Sequence, residues 1–419
     1  MTRRRLALVG ALLLVAACVE RITALGHCPG DFCPSGQITI VDTLLTTNIA
    51  RDSSYRGYVL AYQSPLMLAA NLPGATDTLD GRPIFRMNPV GSRLRISTAD
   101  TSTGLILGAD SARLQVYFVR RDSATRNLRL QLYRLPITID TSTTFADLTG
   151  PFTDSLVRTI NIDTLLAQPG RKDTVTGDSA VVDTVNHRLV LSLKLDTAAA
   201  RYVGTDSGRV AYGIRIAADT LASVALGKGA FGPVLQWHLR VDSLGMPVAR
   251  NPGNLAAAFA SFVFAPPPAP IDSTLAVGGV PSARSLLRVT LPKVIRDSGQ
   301  IIRGTLILVP AVAARGAPAD SFMIEARTVF ADFGGKSPVD LRFGDTTVIH
   351  VGSTDTVKIE VTNLLQIWAA DSTRPTVLVL RPEREAQEFG EIRFYPSVAA
   401  AFRPTLQVTF VRRFPFGVP

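Results

Sequence analysis

Apolar and polar residues alternate with a period of two along nearly the whole chain, and that pattern suits half-buried β-strands rather than helices. In RLQVYFVR, Leu114, Val116 and Phe118 share one face. LVLSLKL sets Leu189, Leu191, Leu193 and Leu195 against Ser192 and Lys194. VKIEV gathers Val357, Ile359 and Val361, and TLQVTF gathers Leu406, Val408 and Phe410. One dry face and one wet face per strand point to antiparallel sheets. Between these runs stand RRDSATRN, TGDSAVVDT and GSTDT, whose Asp, Ser and Thr side chains favour turns by bonding nearby backbone groups. The expected fold class is all-β, built from two tandem antiparallel β-sandwich domains.

Two domains follow from length as well, since 419 residues at 46% hydrophobic content exceed one ordinary domain. The clearest break is FAPPPAP, residues 264–270, where consecutive prolines donate no ladder hydrogen bonds and stiffen into a spacer of roughly 3 Å per residue. The expected division is a first domain over 36–250, a proline-rich linker over 251–270 and a second domain over 271–419. An internal repeat supports it. PVLQWHLRV from Pro233 matches PTLQVTFV from Pro404, and HRLVLSLKLDTAAARYVGTDSGRVAYGI matches DTVKIEVTNLLQIWAADSTRPTVLVL, with Tyr202 in the place of Trp368. Asp196 and Thr362 open the short helical turns of these stretches, where a side-chain oxygen can cap exposed amides.

The N-terminus reads as an export signal: Arg3, Arg4 and Arg5 precede an apolar run from Leu6 to Ala17. That run falls short of the about 20 residues a membrane-spanning helix needs. Val15, Ala16, Ala17 and Cys18 resemble the bacterial lipobox, which implies a signal peptide over 1–17 and an acylated Cys18 as the first mature residue. An ordinary signal peptide cleaved near Ala17 is the alternative. Two or more lipid chains hold a protein at a bilayer almost permanently, so the expected partner is the membrane itself, through a stalk over 18–35. Val19 in place of aspartate resembles the sorting rule for the outer membrane, facing periplasm or exterior. Cys28 and Cys33 in HCPGDFC are expected to pair in an oxidising compartment, closing a ring worth roughly 2 kcal/mol. A metal site from His27, Cys28, Asp31 and Cys33 would crowd its ligands into seven residues and strain tetrahedral geometry, so no metal is expected.

The formal charge of +10 drops by three, to +7, without the signal arginines. The remaining basic residues are scattered, with no helical or aromatic nucleic-acid motif, so no nucleic-acid partner is expected. A mild attraction to anionic polysaccharide or lipid headgroups fits such a surface. The chain carries no GxSxG elbow, HExxH helix, Walker or Rossmann glycine loop, and no EF-hand loop. His27, His187, His238 and His350 never fall at metal-ligand spacing. Glu383, Glu385, Glu388 and Glu391 in PEREAQEFGE would need two carboxylates about 5 to 10 Å apart to cleave a glycoside. Interleaved with Arg381, Arg384 and Arg393, they read instead as a solvated charge cluster on a loop. Neither an enzyme nor a cofactor is expected.

The stretches STLAVGGVPSARSLLRVTLP, IIRGTLILVPA, DTVKIEVTNLLQIW, EFGEIRFYPS and RPTLQVTFV, across residues 271–413, resemble the DNRLRE domain, a jelly-roll-like β-sandwich of bacterial exported proteins that is itself similar to carbohydrate-binding modules. Residues 36–247 match it only through the internal repeat. The resemblance implies jelly-roll-like domains and a binding or display role. The candidate site is the hairpin RLQVYFVRRDSATRNLRLQLYRL, whose polar face would set Arg113, Gln115 and Tyr117 on one strand beside Arg129, Gln131 and Tyr133 on the next. Tyrosine edges, glutamines and arginine forks suit a glycan bearing hydroxyls and carboxylates; a plain solvated sheet face is the competing reading. Trp237 and Trp368 share faces with aliphatic residues and are expected in the core. The expected function is an envelope-anchored, noncatalytic lipoprotein for surface recognition or display with polysaccharide as ligand. The alternative is an adhesion scaffold that binds a protein partner by sheet edges or loops.

Overall fold

The computed structural model describes residues 40–73, 78–96, 101–122, 124–243, 246–250, 254–265, 273–317 and 321–412. The expected signal peptide, Cys18, Cys28, Cys33 and most of the proline stretch lie outside the described residues. The chain divides into Met1–Ile40 and Val41–Pro419, and the sheets belong to the second unit. Strand accounts for 53% and helix for 11%, so the all-β expectation holds.

In the first half six strands pair in a closed circuit. Thr103–Arg121 pairs with Val234–Ser243, which pairs with Asn254–Phe264; the circuit continues through Thr78–Met87, Leu66–Pro73 and Ala222–Gly227 and returns to Thr103–Arg121. Two wings extend this barrel. Arg188–Leu195 lies on the free edge of Thr103–Arg121, while Ala211–Ala217, Arg129–Leu135 and Leu156–Asn161 run outward in that order from Thr78–Met87.

The residues after 273 repeat this pairing strand for strand. Leu275–Gly278 pairs with Ala283–Val289 and Glu391–Phe394, as Leu66–Pro73 pairs with Thr78–Met87 and Ala222–Gly227. From Ala283–Val289 the order runs to Val377–Pro382, Ser321–Val329 and Val339–His350, matching the wing of the first half. Gly299–Leu308 lies between Val357–Glu360 and Thr405–Arg412, as Thr103–Arg121 lies between Arg188–Leu195 and Val234–Ser243. The long Thr103–Arg121 strand has a broken counterpart, Gly299–Leu308 followed by Pro310–Arg315, because Pro310 has no N–H for the ladder. The leading strand is likewise interrupted between Leu45 and Ile49, with its pieces in different sheets, and the second half forms two sheets, of four and eight strands.

Both closing strands precede the proline stretch in sequence. Asn254–Phe264 pairs with Val234–Ser243 and Thr78–Met87 in the first half. Ile40–Leu45 and Ile49–Arg56 pair with Thr405–Arg412 and Ala283–Val289 in the second. The expected linker, 251–270, thus contains an eleven-residue strand, and the first two strands among the described residues, Ile40–Leu45 and Ile49–Arg56, group with the second half rather than with 57–250. Alanines at 256, 257, 258 and 260 blur the alternation that would mark Asn254–Phe264 as a strand.

Each half has its own apolar core. Leu114, Val116 and Phe118 meet Leu130, Leu132, Leu191, Leu193 and Trp237 in the first. Leu287, Leu306, Ile359, Leu364, Trp368, Leu380 and Leu406 meet in the second, joined by Leu45 and Ile49 of the leading strands. Burying each such side chain contributes about 1.5 to 3 kcal/mol. Both tryptophans are fully buried, and Trp237 Nε1 donates to the Ala200 carbonyl at 2.8 Å. The turn after Arg188–Leu195 is capped as expected, Ala199 N–H donating to Asp196 Oδ1 at 2.7 Å. Thr362 differs: its Oγ1 accepts from Gly304 N–H at 2.8 Å, tying the Thr362–Ala370 helix to the neighbouring strand instead of capping it.

Candidate functional site

The hairpin expected to form a glycan face does not form: its two strands lie in one sheet but are not neighbours there. Thr103–Arg121 and Arg129–Leu135 do not pair: Gln115 lies opposite Ser192 and Val234, whereas Gln131 lies opposite Arg215 and Thr159. Their dry faces meet in one core, so the two strands look at each other across it and their polar faces point away from it on separate sides. The physical reason is the connection. Asp122 and Thr125 are buried, with Asp122 Oδ1 accepting from Ala124 N–H at 2.9 Å, and the segment carries the chain across the core rather than folding it back.

The six residues are also largely committed within the protein. Arg113 donates from Nε to Ser192 Oγ at 2.9 Å and from Nη2 to the Gly177 and Ser192 carbonyls at 3.1 Å each. Tyr117 leans on Gln115 at 3.4 Å, with the Arg188 guanidinium 5.2 Å from its ring centroid. Arg129 reaches Asp219 at 3.5 Å. Tyr133 is buried against Phe152, ring centroids 5.0 Å apart, with its hydroxyl 3.3 Å from Gln131 Oε1. Arg113 lines a basin of about 490 Å³ shared with Lys172, Asp173, Lys194 and His238.

Of the glutamates of PEREAQEFGE, Glu383 is exposed, as expected of a solvated cluster, but Glu385, Glu388 and Glu391 are not. Glu385 accepts from Arg284 Nε at 2.5 Å and Nη2 at 2.6 Å, and from Arg381 Nη1 at 3.3 Å. Arg381 Nε donates onward to the buried Glu325 at 2.5 Å, which also accepts from Arg327 at 2.6 Å. Glu391 lies between Arg56 at 3.1 Å and Arg393 at 2.6 Å, and Glu388 pairs with Arg120 at 3.4 Å. Burial pushes the Glu391 carboxyl up, but the two arginines outweigh it and hold the group below the usual carboxylate range. These carboxylates act as counter-ions that cover the outward face of the eight-stranded sheet.

A mainly apolar hollow lies where the chain crosses between halves. It holds about 430 Å³ and is lined by Leu60, Phe145, Phe262, Phe264, Val280 and Pro281 among others. Leu60 belongs to the segment that leaves Ile49–Arg56 for the first half, and Phe262 and Phe264 end the strand that precedes the second. Gly57 begins the crossing at φ +82°, a left-handed conformation that favours glycine, and donates to the Ser282 carbonyl at 3.0 Å. Lys228 Nζ binds the carbonyls of Tyr62 and Ser64, the latter at 3.2 Å, and Ser64 Oγ binds the Ala386 carbonyl at 2.8 Å. Burial lowers the Lys228 ammonium below its ordinary value.

Opposite this wall, Phe145 is set by a stiff loop. Asp140 accepts from Ser142 N–H at 2.8 Å, and Asp147 from Thr144 N–H at 2.8 Å. The hydroxyls of Ser142 and Thr144 hold these two carboxyls below the usual range. The Arg82 guanidinium lies 4.3 Å from the Phe145 ring centroid and pairs with Asp80 at 2.6 Å. The cleft offers an apolar floor for an apolar group, and its walls also carry Tyr62, Thr141, Ser142, Thr143, Thr144, Ser261 and Ser282. Sequence reasoning missed it because its lining comes from five separated stretches that meet only through the crossing.

No family model matches the chain, and no curated protein matches it. Among solved structures it is similar to one titled "BspA_C_mut", at 8% identity over 84% of this chain and 92% of that one, with a TM-score of 0.13, too low to relate the folds.

Proposed function

We propose that the protein is a noncatalytic lipoprotein of the bacterial cell envelope, tethered through acylated Cys18 at the outer membrane, whose DNRLRE-like, jelly-roll-like bodies display a recognition site. The site is the cleft at the crossing, and its ligand is an apolar side chain of a protein partner. The observation that carries this reading is the lining: Leu60, Phe145, Phe262, Phe264, Val280 and Pro281 give a mainly apolar surface around about 430 Å³, with serine and threonine hydroxyls at its walls. An aromatic anchor burying about 150 to 250 Å² there would contribute roughly 4 to 6 kcal/mol before the costs of association. A test is titration of the full-length protein in lipid nanodiscs with peptides that differ only in one anchor, tryptophan, leucine or lysine. Binding of the first two and not the third is expected, with loss in Leu60→Asp. Equal binding of all three, or binding untouched by Leu60→Asp, would discard the reading.

A second reading, an acidic polysaccharide, is favoured by the basin around Arg113. Lys194 lies directly across the ladder from Arg113, a like-charged pair that costs stability, and among the described residues neither Lys172 nor Lys194 has a carboxylate partner. Retention on polygalacturonate that survives Leu60→Asp but fails in Lys172→Gln/Lys194→Gln would select this reading over the first.

A further inference from the structure

The two halves agree in every pairing described above, including the place of the closing strand, yet each closing strand is out of order. Ile40–Leu45 and Ile49–Arg56 directly precede Leu66–Pro73, the opening strand of the first half, but they close the second. Asn254–Phe264 directly precedes Leu275–Gly278, the opening strand of the second half, but it closes the first. In two independent tandem units each leading strand would close its own unit. We infer that the chain is two copies of one β-unit that have traded their leading strands, and that the groove each unit offers to that strand also admits the strand of a second copy of this chain.

The groove in the second unit specifies its strand in detail. Ser53 sits opposite Leu286 and Asp52 opposite Leu287. Leu45 and Ile49 enter the core, Asn48 Nδ2 donates to the Thr290 carbonyl at 2.8 Å, and Ser285 Oγ lies 3.3 Å from Ser54 Oγ. Arg56 reaches Glu391, and Asp52 accepts from Ser397 N–H. At the start of the strand, Asp42 accepts from Gln407 Nε2 at 2.9 Å. Every one of these contacts is the same whichever chain supplies residues 40–56, so they cancel between the monomer and an exchanged pair. The balance then depends on the effective concentration of the strand already tethered in the chain, on the order of millimolar for a short connection. Two copies that trade residues 40–56 close into a symmetric pair with no groove left empty.

The test uses the full-length chain with Cys18, Cys28 and Cys33 all replaced by serine. Ser54→Cys and Ser285→Cys are introduced on separate chains, which are mixed, unfolded, refolded together at about 1 mM and at a hundredfold lower concentration, and oxidised with glutathione disulfide. A disulfide-linked heterodimer, at least tenfold more abundant at the higher concentration, is expected. The double variant on one chain, refolded dilute, should form its disulfide within the monomer. An intrachain disulfide in the double variant with no heterodimer from the mixture at either concentration would overturn the exchange between copies. Absence of both would overturn the shared groove itself. Unmixed single variants, which cannot form the bond, set the background.

Discussion

Glu325 holds the ion-pair lattice of the second half together, and replacing it with glutamine should be costly. Its side chain is 1% exposed and accepts from Arg381 at 2.5 Å and Arg327 at 2.6 Å. Glu325→Gln keeps the shape but leaves two guanidinium groups facing a neutral amide that presents donors to donors. Removing one partner from a buried pair typically costs about 3 to 5 kcal/mol. Arg381 retains Glu385, and Arg327 retains the Leu341 carbonyl at 2.7 Å, while both arginines stay 16 to 17% exposed. These remaining partners place the expected loss at the lower end, about 3 kcal/mol. Urea unfolding at neutral pH measures it as a lowered midpoint with an unchanged slope. A companion variant, Glu325→Leu/Arg327→Leu/Arg381→Met, removes the charges together and should recover most of the loss. A loss under about 1 kcal/mol for Glu325→Gln would show that the lattice behaves as ordinary solvated surface pairs, and the reasoning would fail.

Acid should destabilise the protein through carboxylates with depressed pKa values. Glu391 is held down against its burial by Arg56 and Arg393, and Asp340 is held well below its ordinary value by hydrogen bonds from Arg342 and Arg374. A depressed folded pKa stabilises above the unfolded value, about 4, and that stability goes as pH falls through the folded values, so Tm should be level from about pH 7 to 5 and drop below about pH 4. A Tm that holds or rises on acidification would contradict this. Trp237→Phe removes the hydrogen bond to Ala200 and strands a buried carbonyl, an expected loss of about 1 to 3 kcal/mol in the same urea experiment; no change would mean that the carbonyl finds another partner.

Much of the fold was legible because burial leaves a period-two trace. Leu114, Val116, Phe118 and the leucines from 189 to 195 all lie in the first core. The repeat was legible for the same reason: PVLQWHLRV and PTLQVTFV occupy equivalent places beside the central strand of each half. Alternation states which face of a strand is dry but not which strand lies beside it. The hairpin of Arg113 and Arg129 failed on that distinction, since two strands facing each other across a core show the same pattern as two strands paired edge to edge. Arg284, Glu325 and Arg381 carry no trace of burial in sequence, because a charge that is paired and one that is solvated are the same letter. The cleft was illegible for a topological reason: Leu60 and Phe264 are brought together by the crossing of the leading strands, which local pattern does not encode.

The exchanged closing strands can be tested by comparing two fragments. One spans residues 57–265 and contains every strand of the first circuit; the other spans 36–250, the boundary that the sequence suggests, and lacks Asn254–Phe264. The first should give a β-type circular dichroism spectrum and a cooperative melt, and the second should not, because its Thr78–Met87 and Val234–Ser243 edges are left open. Cooperative folding of 36–250 with a Tm equal to or above that of 57–265 would mean that residues 40–56 close the first half after all, and the architecture described here would be wrong.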